Sequence, residues 1–340
     1  MSQLVYNESE LMAEHDYASL QVSGERRLHG GFDADGRYLC PRSLHRPRAI
    51  EAWTEALRSR GGDLLNADAS LLEGARYPTI AQSKLLLLEG LGLSFWNSLT
   101  ITGKIEARGR FLATMPFPDL RDLCVEDISE QAVGHLQSGL LKAHGLDEGG
   151  EPGVGGHDEM WFALRDLVFG AGAFPDVEPP ERIGSGGTDR QVPEISDTYE
   201  GMIRFLLNLL MIEFRAELGF ASTEQLLRDP QLFQDRREAA LEAAEIVERI
   251  RRDEEIHVTS LRLYLGELRS LTFKTTDGGK ISGASVIDPL WERLVAWATV
   301  EQPKAMAVQQ REMYRERILG HDDGERVLKA FEELGEALVG

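Results

Sequence analysis

The sequence contains few cysteines, a minority of basic side chains and no long apolar run. Its two cysteines, Cys40 and Cys124, are too few for a disulfide framework and form no CxxC zinc knuckle. The 37 Lys and Arg residues face 57 Asp and Glu residues, so the net charge is −20. The basic surface that nucleic acid or an anionic membrane requires is therefore not expected. Any metal ion would need carboxylate and histidine ligands.

No run of 18 apolar residues occurs, and the first residues, "MSQLVYNESELMAEHDY", form neither a basic start nor an apolar signal segment. We therefore expect a soluble, cytoplasmic protein without a membrane or nucleic-acid partner. A length of 340 residues with 42% hydrophobic content is enough for a substantial core.

Strand signals are scarce, so the sequence predicts an all-α protein. Three parts are predicted: an irregular N-terminal arm with a short helix (1–76), a helical bundle (77–271), and a hairpin-like turn followed by helices packed on the bundle (272–340). Within the bundle, one helix is predicted from an Asp119 cap to a Gly145 stop. The loop 171–196 is long enough to cover a site.

The stretch "RIRRDEEIHV", residues 249–258, places a histidine after three acids in a long predicted helix, 236–271. Apolar residues recur there at steps of three and four: Ala240, Ala243, Val247, Ile250, Leu261, Leu265 and Leu268. The same steps place Glu254 and His257 on this buried stripe. A buried carboxylate is costly unless a metal ion or a hydrogen-bond partner compensates it, so this pair needs a partner.

A second acid lies inside the apolar helix "LLNLLMIEFRAELGF". Glu213 follows Ile203, Leu206 and Leu210 at helical steps, which predicts that it faces the core. It is either a metal ligand or a buried acid paired with an arginine such as Arg108 or Arg204. Glu217, one turn further on, is either an additional ligand or an acceptor for a ligand.

The N-terminal half repeats this outline in a weaker form. "GKIEARGRF" around Glu106 is similar to "LMIEFRAELGF", and "GHLQSGL" around His135 is similar to "IHVTSLRL" around His257. A regular Glu-x-x-His would need an acid at position 132, where Ala132 stands. Glu130 is the nearest acid, and only a π-bulge near Gly134 would bring it onto the same helix face as His135.

Three other residues are alternatives for completing this half. Gln131 aligns with His135 on a regular helix, and His157 and Glu159 open the next helix in "GGHDEMW". Acids at a helix start are common caps, so the second pair also has a structural interpretation.

Together these residues resemble the ferritin-like superfamily of di-metal carboxylate proteins, in which Glu and Glu-x-x-His side chains project into a four-helix bundle. The resemblance covers residues 77–271 and implies a ferritin-like four-helix bundle with additional N- and C-terminal helices. It implies two iron ions, with manganese as the alternative metal. The implied ligands are Glu106, Glu130, His135, Glu213, Glu254 and His257.

The resemblance further implies an oxidase or oxygenase that acts on a small organic or lipid-like substrate with O₂ and receives electrons from a donor protein. Asp253 would orient a histidine ligand, and loop 171–196 would be a lid. The alternative is a metal-free helical scaffold that binds a partner protein, for instance through Trp291 and Trp297, although these tryptophans are also typical core anchors. A homodimer is a common arrangement for bundles with added helices.

Overall fold

The structure is a computed structural model, and it describes residues 5–74, 77–181, 183–185 and 189–336. Helices make up 63% of the described residues and strands 7%, which confirms the all-α class. In these described ranges, no helix is both long enough and apolar enough to cross a membrane.

The N-terminal arm is more ordered than predicted, because it contains a three-stranded antiparallel sheet. The elements are α1 (Glu8–Leu11), β1 (Ser19–Ser23), β2 (Arg26–Phe32), β3 (Tyr38–Leu39) and α2 (Arg46–Ser59). The sheet order is β1-β2-β3, and a bulge lies between Leu20 and Val22. Pro47 lies in the first turn of α2, where a missing N–H costs little.

The central part of the chain forms the helices that hold the core. They are α3 (Ile80–Leu88), α4 (Leu93–Gly109), α5 (Leu120–Leu123), α6 (Leu141–Gly149), α7 (His157–Phe169), α8 (Asp197–Arg228) and α9 (Arg237–Ser270). A hairpin and three helices follow: β4 (Thr272–Lys274), β5 (Lys280–Ser282), α10 (Gly283–Ala296), α11 (Gln302–Leu319) and α12 (Gly324–Glu336). The hairpin pairs as predicted, with Phe273 opposite Ile281.

The long helices pack side by side: α8 against α9, α9 against α7, and α7 against α4. Helix α6 lies against α4, and α2 covers α9. The apolar stripe of α9 is buried along its length, as Val247 and Leu265 illustrate. Trp291 and Trp297 also pack inward: the Trp291 ring meets Phe214 edge to face, and Arg215 lies over the Trp297 ring.

The predicted single helix from Asp119 to Gly145 is wrong. Asp119 caps α5 as expected, but α5 ends at Leu123. A 3₁₀ turn (Ala132–His135) and a π-type turn (Leu136–Leu140) precede α6. Gly139 has φ 115°, a conformation that L side chains rarely adopt and that interrupts a helix.

Gly145 does not end a helix either, because α6 continues to Gly149. Gly150, whose φ is 63°, caps its end. A Cβ at position 145 would lie 2.4 Å from the Ala113 backbone nitrogen. The glycine therefore permits close packing against the segment after α4. As a result, α6 extends four residues beyond its predicted end and carries additional acids into the core.

Candidate metal centre

Seven buried carboxylate and imidazole side chains meet between five helices, and we call them the inner cluster. None is more than 8% exposed. Helix α4 contributes one, α6 two, α7 one, α8 one and α9 two. They are Glu106, His144, Glu148, His157, Glu213, Glu254 and His257.

Glu254 divides its two oxygens between two histidines. Its Oε1 lies 3.0 Å from Nδ1 of His157, and its Oε2 lies 2.9 Å from Nδ1 of His257. Glu148 is arranged in the same way, with Oε1 3.1 Å from Nδ1 of His257 and Oε2 3.5 Å from Nδ1 of His157. Each carboxylate therefore spans the gap between the two imidazoles.

The remaining members lie at the two ends of this arrangement. Beside His257, Nε2 of His144 is 3.0 Å from Oε1 of Glu213, and the two imidazole rings stack with centroids 3.8 Å apart. Beside His157, Oε2 of Glu106 is 4.0 Å from Nδ1. We call the place bounded by Glu106 and His157 position 1, and the place bounded by His144, Glu213 and His257 position 2.

The outward nitrogens of two histidines contact aspartates, which we call the outer carboxylates. Nε2 of His257 lies 3.1 Å from Asp147 Oδ2, and Nε2 of His157 lies 3.3 Å from Asp253 Oδ2. A carboxylate can only accept here, so each Nε2 donates, and each Nδ1 is the ring nitrogen that faces the inner cluster. An imidazole held in this way by an acid is typical of metal-ligating histidines.

Partners of the outer carboxylates come from residues 29–46, which we call the N-terminal segment. Arg42 donates two hydrogen bonds to Asp147 and Arg46 donates one. Asp253 accepts a hydrogen bond of 2.9 Å from the Tyr38 hydroxyl. Nε2 of His29, a buried residue, also lies 3.3 Å from Asp253.

Electrostatics show that the inner cluster attracts positive charge. Burial raises the pKa of Glu213 to about 8, and the negative charge of Glu254 adds to this rise. Burial alone would lower the pKa of His257, but the surrounding carboxylates, led by Glu254, raise it well above its usual value. Both shifts favour the protonated forms of Glu213 and His257, and divalent cations could replace those protons.

Asp147 behaves differently because arginines surround it. Burial would raise the pKa of its carboxyl, but Arg46 and then Arg42 overcome this effect and hold the pKa well below its usual value. Asp147 is therefore a permanent acceptor for His257.

Four predicted site residues meet in the inner cluster: Glu106, Glu213, Glu254 and His257. Asp253 contacts a histidine ligand candidate, as expected, although the histidine is His157. Glu213 contacts His144 rather than an arginine. Arg108 donates instead to the Pro180 carbonyl, and Glu217 is exposed.

Glu130 and His135, the other two predicted ligands, have different environments. Glu130 is exposed, whereas His135 contacts the Ser129 carbonyl through Nε2 and stacks on Trp53. The helix break at Gly139 separates this turn from α6, so His135 does not occupy the helix face assigned to it.

Of the three alternatives for the first half, His157 lies in the inner cluster. Gln131 donates to the Asp127 carbonyl, and Glu159 pairs with Arg26 on the surface side of α7. The first turn of α7 therefore supplies an imidazole to the centre and an acid to its outer face.

His144 and Glu148 were missed by sequence reasoning. Both lie in "LLKAHGLDEGG", and their i, i+4 spacing places them on one helix face. Treating Gly145 as a stop hid this signal, because it ended the helix before Glu148.

Described parts of loop 171–196 connect α4 and α8. Lys104 of α4 pairs with Glu178, and Arg108 donates to Pro180. From α8, Arg215 donates to the Ile183 carbonyl. The loop thus lies along the helices that carry Glu106 and Glu213.

Comparisons with protein-family models, with curated proteins and with solved structures each found no match to this chain. The geometry defines a class: a helical protein with a buried carboxylate–histidine cluster. Two groups of four cluster members each place one ligand atom per residue within 4.8 Å of the others, and the groups share Glu148 and His257. These side chains are close enough to hold a metal ion.

Proposed function

We propose that this chain is a di-metal carboxylate protein with a ferritin-like bundle, and that it binds two iron ions and oxidises a small organic or lipid-like substrate with O₂. The observation that carries the proposal is the placement of Glu148 and Glu254. Each of these glutamates has one carboxylate oxygen next to His157 and the other next to His257. Manganese is the alternative metal, since carboxylate and imidazole suit both.

The charge balance supports bound cations. The inner cluster and outer carboxylates place six acids in a buried volume, against two arginines that both contact Asp147. Burying uncompensated carboxylates costs several kcal/mol each. A metal-free scaffold would compensate its acids only with protons held in the cluster, whereas two divalent ions would balance about the full charge of the four glutamates.

The side chains divide into roles in this proposal. Glu148 and Glu254 would bridge the two positions. Glu106 and His157 would complete position 1, and the terminal ligands of position 2 would be His144, Glu213 and His257. The outer carboxylates would hold Nε2 of His157 and His257 as the donor, which leaves Nδ1 as the nitrogen for a cation, and would fix the ring orientations.

The dryness of the site favours an oxidase or oxygenase over a storage role, because a reactive oxidant must be kept away from water. A di-iron centre with this ligand type supplies electrons for O₂ activation when it is bound. The surrounding residues exclude water, since every inner-cluster side chain is nearly inaccessible. Electrons would come from the substrate or from an electron-donor protein.

The deciding experiment measures metal content and O₂ consumption. The full chain is reconstituted anaerobically with Fe²⁺, freed of unbound metal by gel filtration, and analysed by elemental mass spectrometry. We expect two iron ions in the wild type, and loss of iron in Glu254→Ala and His257→Ala. Exposure of the loaded wild type to air should consume O₂.

Glu130→Ala provides the matched control, because it removes a glutamate that is exposed rather than buried in the cluster. It should retain both ions. Equal iron content in Glu254→Ala and the wild type would refute the proposal, and so would a wild type that binds neither iron nor manganese.

A further inference from the structure

Resting on the proposed di-metal function, we propose that Asp147 and its two arginines make the metal positions unequal in redox behaviour. The ion at position 2 stays in the lower oxidation state, and the ion at position 1 is oxidised first. Arg42, Arg46 and Asp147 are thus positioning residues that control which ion gives up an electron.

The first observation is the arginine contact with Asp147. Asp147 Oδ1 accepts from Nε and Nη2 of Arg42 at 2.9 and 2.7 Å, and its Oδ2 accepts from Nη2 of Arg46 at 2.6 Å. All three residues are at most 5% exposed. Two guanidinium charges against one carboxylate leave an excess positive charge on the far side of His257.

Glu14 offsets part of this charge only weakly. Its Oε1 lies 3.4 Å from Nη1 of Arg42, and its side chain is 43% exposed, so solvent screens it. Glu151, a second acid near Arg42, is exposed as well, so an excess of positive charge next to position 2 remains.

Position 1 has a different outer partner. Asp253 accepts from the Tyr38 hydroxyl, and its ion-pair contacts within the described ranges are with His29 and His157, with no arginine or lysine among them. Its negative charge thus stays directed at His157, which strengthens that imidazole as a donor to a cation.

Ligand identity acts in the same direction. Position 2 has two histidines, His144 and His257, and one terminal glutamate. Position 1 has one histidine and one terminal glutamate, Glu106. A higher ratio of neutral imidazole to anionic carboxylate stabilises the lower charge on an ion, as does the excess positive charge beyond His257. Both effects favour electron loss at position 1.

Stepwise oxidation of the iron-loaded full chain tests this asymmetry. Electron paramagnetic resonance follows the mixed-valence form during a potentiometric titration, and double resonance counts the imidazole nitrogens on the ferric ion. In the wild type we expect two separated one-electron potentials, and one imidazole on the first ferric ion.

The variants are Arg46→Gln and Arg42→Gln, each of which removes one positive charge while retaining a hydrogen-bond donor for Asp147. In whichever of them folds and retains two irons, the two potentials should move closer together, and the mixed-valence fraction at half oxidation should fall. Arg165→Gln is the control, since Arg165 is a buried, ion-paired arginine outside the site. Its potentials should match the wild type.

Unchanged potential separation in the arginine variants, with two irons bound, would overturn this inference and leave the di-metal proposal intact. Two imidazoles on the first ferric ion would overturn it as well. A wild type that binds no iron fails at the metal count, before any potential is measured, and then the proposed function itself is refuted.

Discussion

The central helices and the N-terminal segment contribute to the buried site in different ways. Helices α4 and α6–α9 supply every member of the inner cluster, whereas the N-terminal segment supplies the groups that contact the outer carboxylates. Rigid helices fix the distances between ligand candidates, and a sheet with its following turn adds charge and hydrogen bonds from outside. In the proposed function, the helices would hold the cations, and the N-terminal segment would adjust their properties.

The largest expected effect comes from the helical part of this comparison. Glu148→Ala removes a carboxylate shared by both positions, so we expect loss of both iron ions. Glu106→Ala removes a terminal ligand of position 1 and should leave one ion bound. Elemental analysis after anaerobic loading measures both. Equal stoichiometry in the two variants would contradict the division into bridging and terminal roles.

A buried acid outside the site gives the next effect. Burial raises the pKa of Glu267 from 4.5 to about 7, although the backbone N–H groups of Val133 and Ala132 oppose the rise. Between these pH values the unfolded chain is ionised and the folded chain is protonated, so stability falls as pH rises from about 4.5 to 7. The loss is about 3 kcal/mol.

Glu267→Gln removes this titration, so the free energy of unfolding of the variant relative to wild type should be about 2–3 kcal/mol higher at pH 8 than at pH 5. Urea denaturation of the metal-free protein at the two pH values measures it. Glu130→Gln is the matched control, since that acid is exposed. A pH-independent difference between Glu267→Gln and wild type would show that the buried acid does not titrate in this range.

Substitution of an outer carboxylate should have a smaller effect on metal binding than substitution in the inner cluster. Asp253→Asn keeps an acceptor for His157 but removes the charge, and we expect iron affinity to fall by about 10- to 100-fold. Competition with a chelator measures the affinity. Asp166→Asn, on the outer side of α7 against Arg26, should leave it unchanged. If Asp253→Asn abolished iron binding as completely as Glu148→Ala, the inner cluster and the outer carboxylates would not have distinct roles.

The smallest effect concerns the packing that brings α6 into place. Gly145→Ala would place a Cβ 2.4 Å from a backbone nitrogen, so the free energy of unfolding should fall by about 1–3 kcal/mol. In an open helix the same change would stabilise by about 1 kcal/mol. Gly219→Ala in α8, where a Cβ meets nothing within 4 Å, is the control. Stabilisation at both positions would contradict the close approach.

Prediction from the sequence was strongest for the long helices. Glu254 and His257 interrupt an apolar stripe, and Glu213 lies inside an apolar run, so helical periodicity placed all three side chains toward the core. Their positions follow from local geometry, and the structure brings them together. That they bind metal stays a prediction.

Prediction failed where tertiary contacts overrode local signals. Asp119 to Gly145 resembled one helix, but a left-handed glycine at 139 divides it, and the glycine at 145 serves packing rather than termination. Gly139 was expected inside a helix but interrupts one, whereas Gly145 was expected to end a helix but lies inside α6. The cluster consequently uses His144 and Glu148 instead of Glu130 and His135.

The sequence by itself determined the helical class and the buried faces of α8 and α9, because periodicity depends only on neighbours one turn apart. Only the tertiary structure decided which acids face one another and that residues 29–46 cover the site. Arg42 contacts Asp147, and Tyr38 contacts Asp253, over separations of 105 and 215 residues. Contacts over such separations leave no local pattern, since chain folding alone brings the partners together.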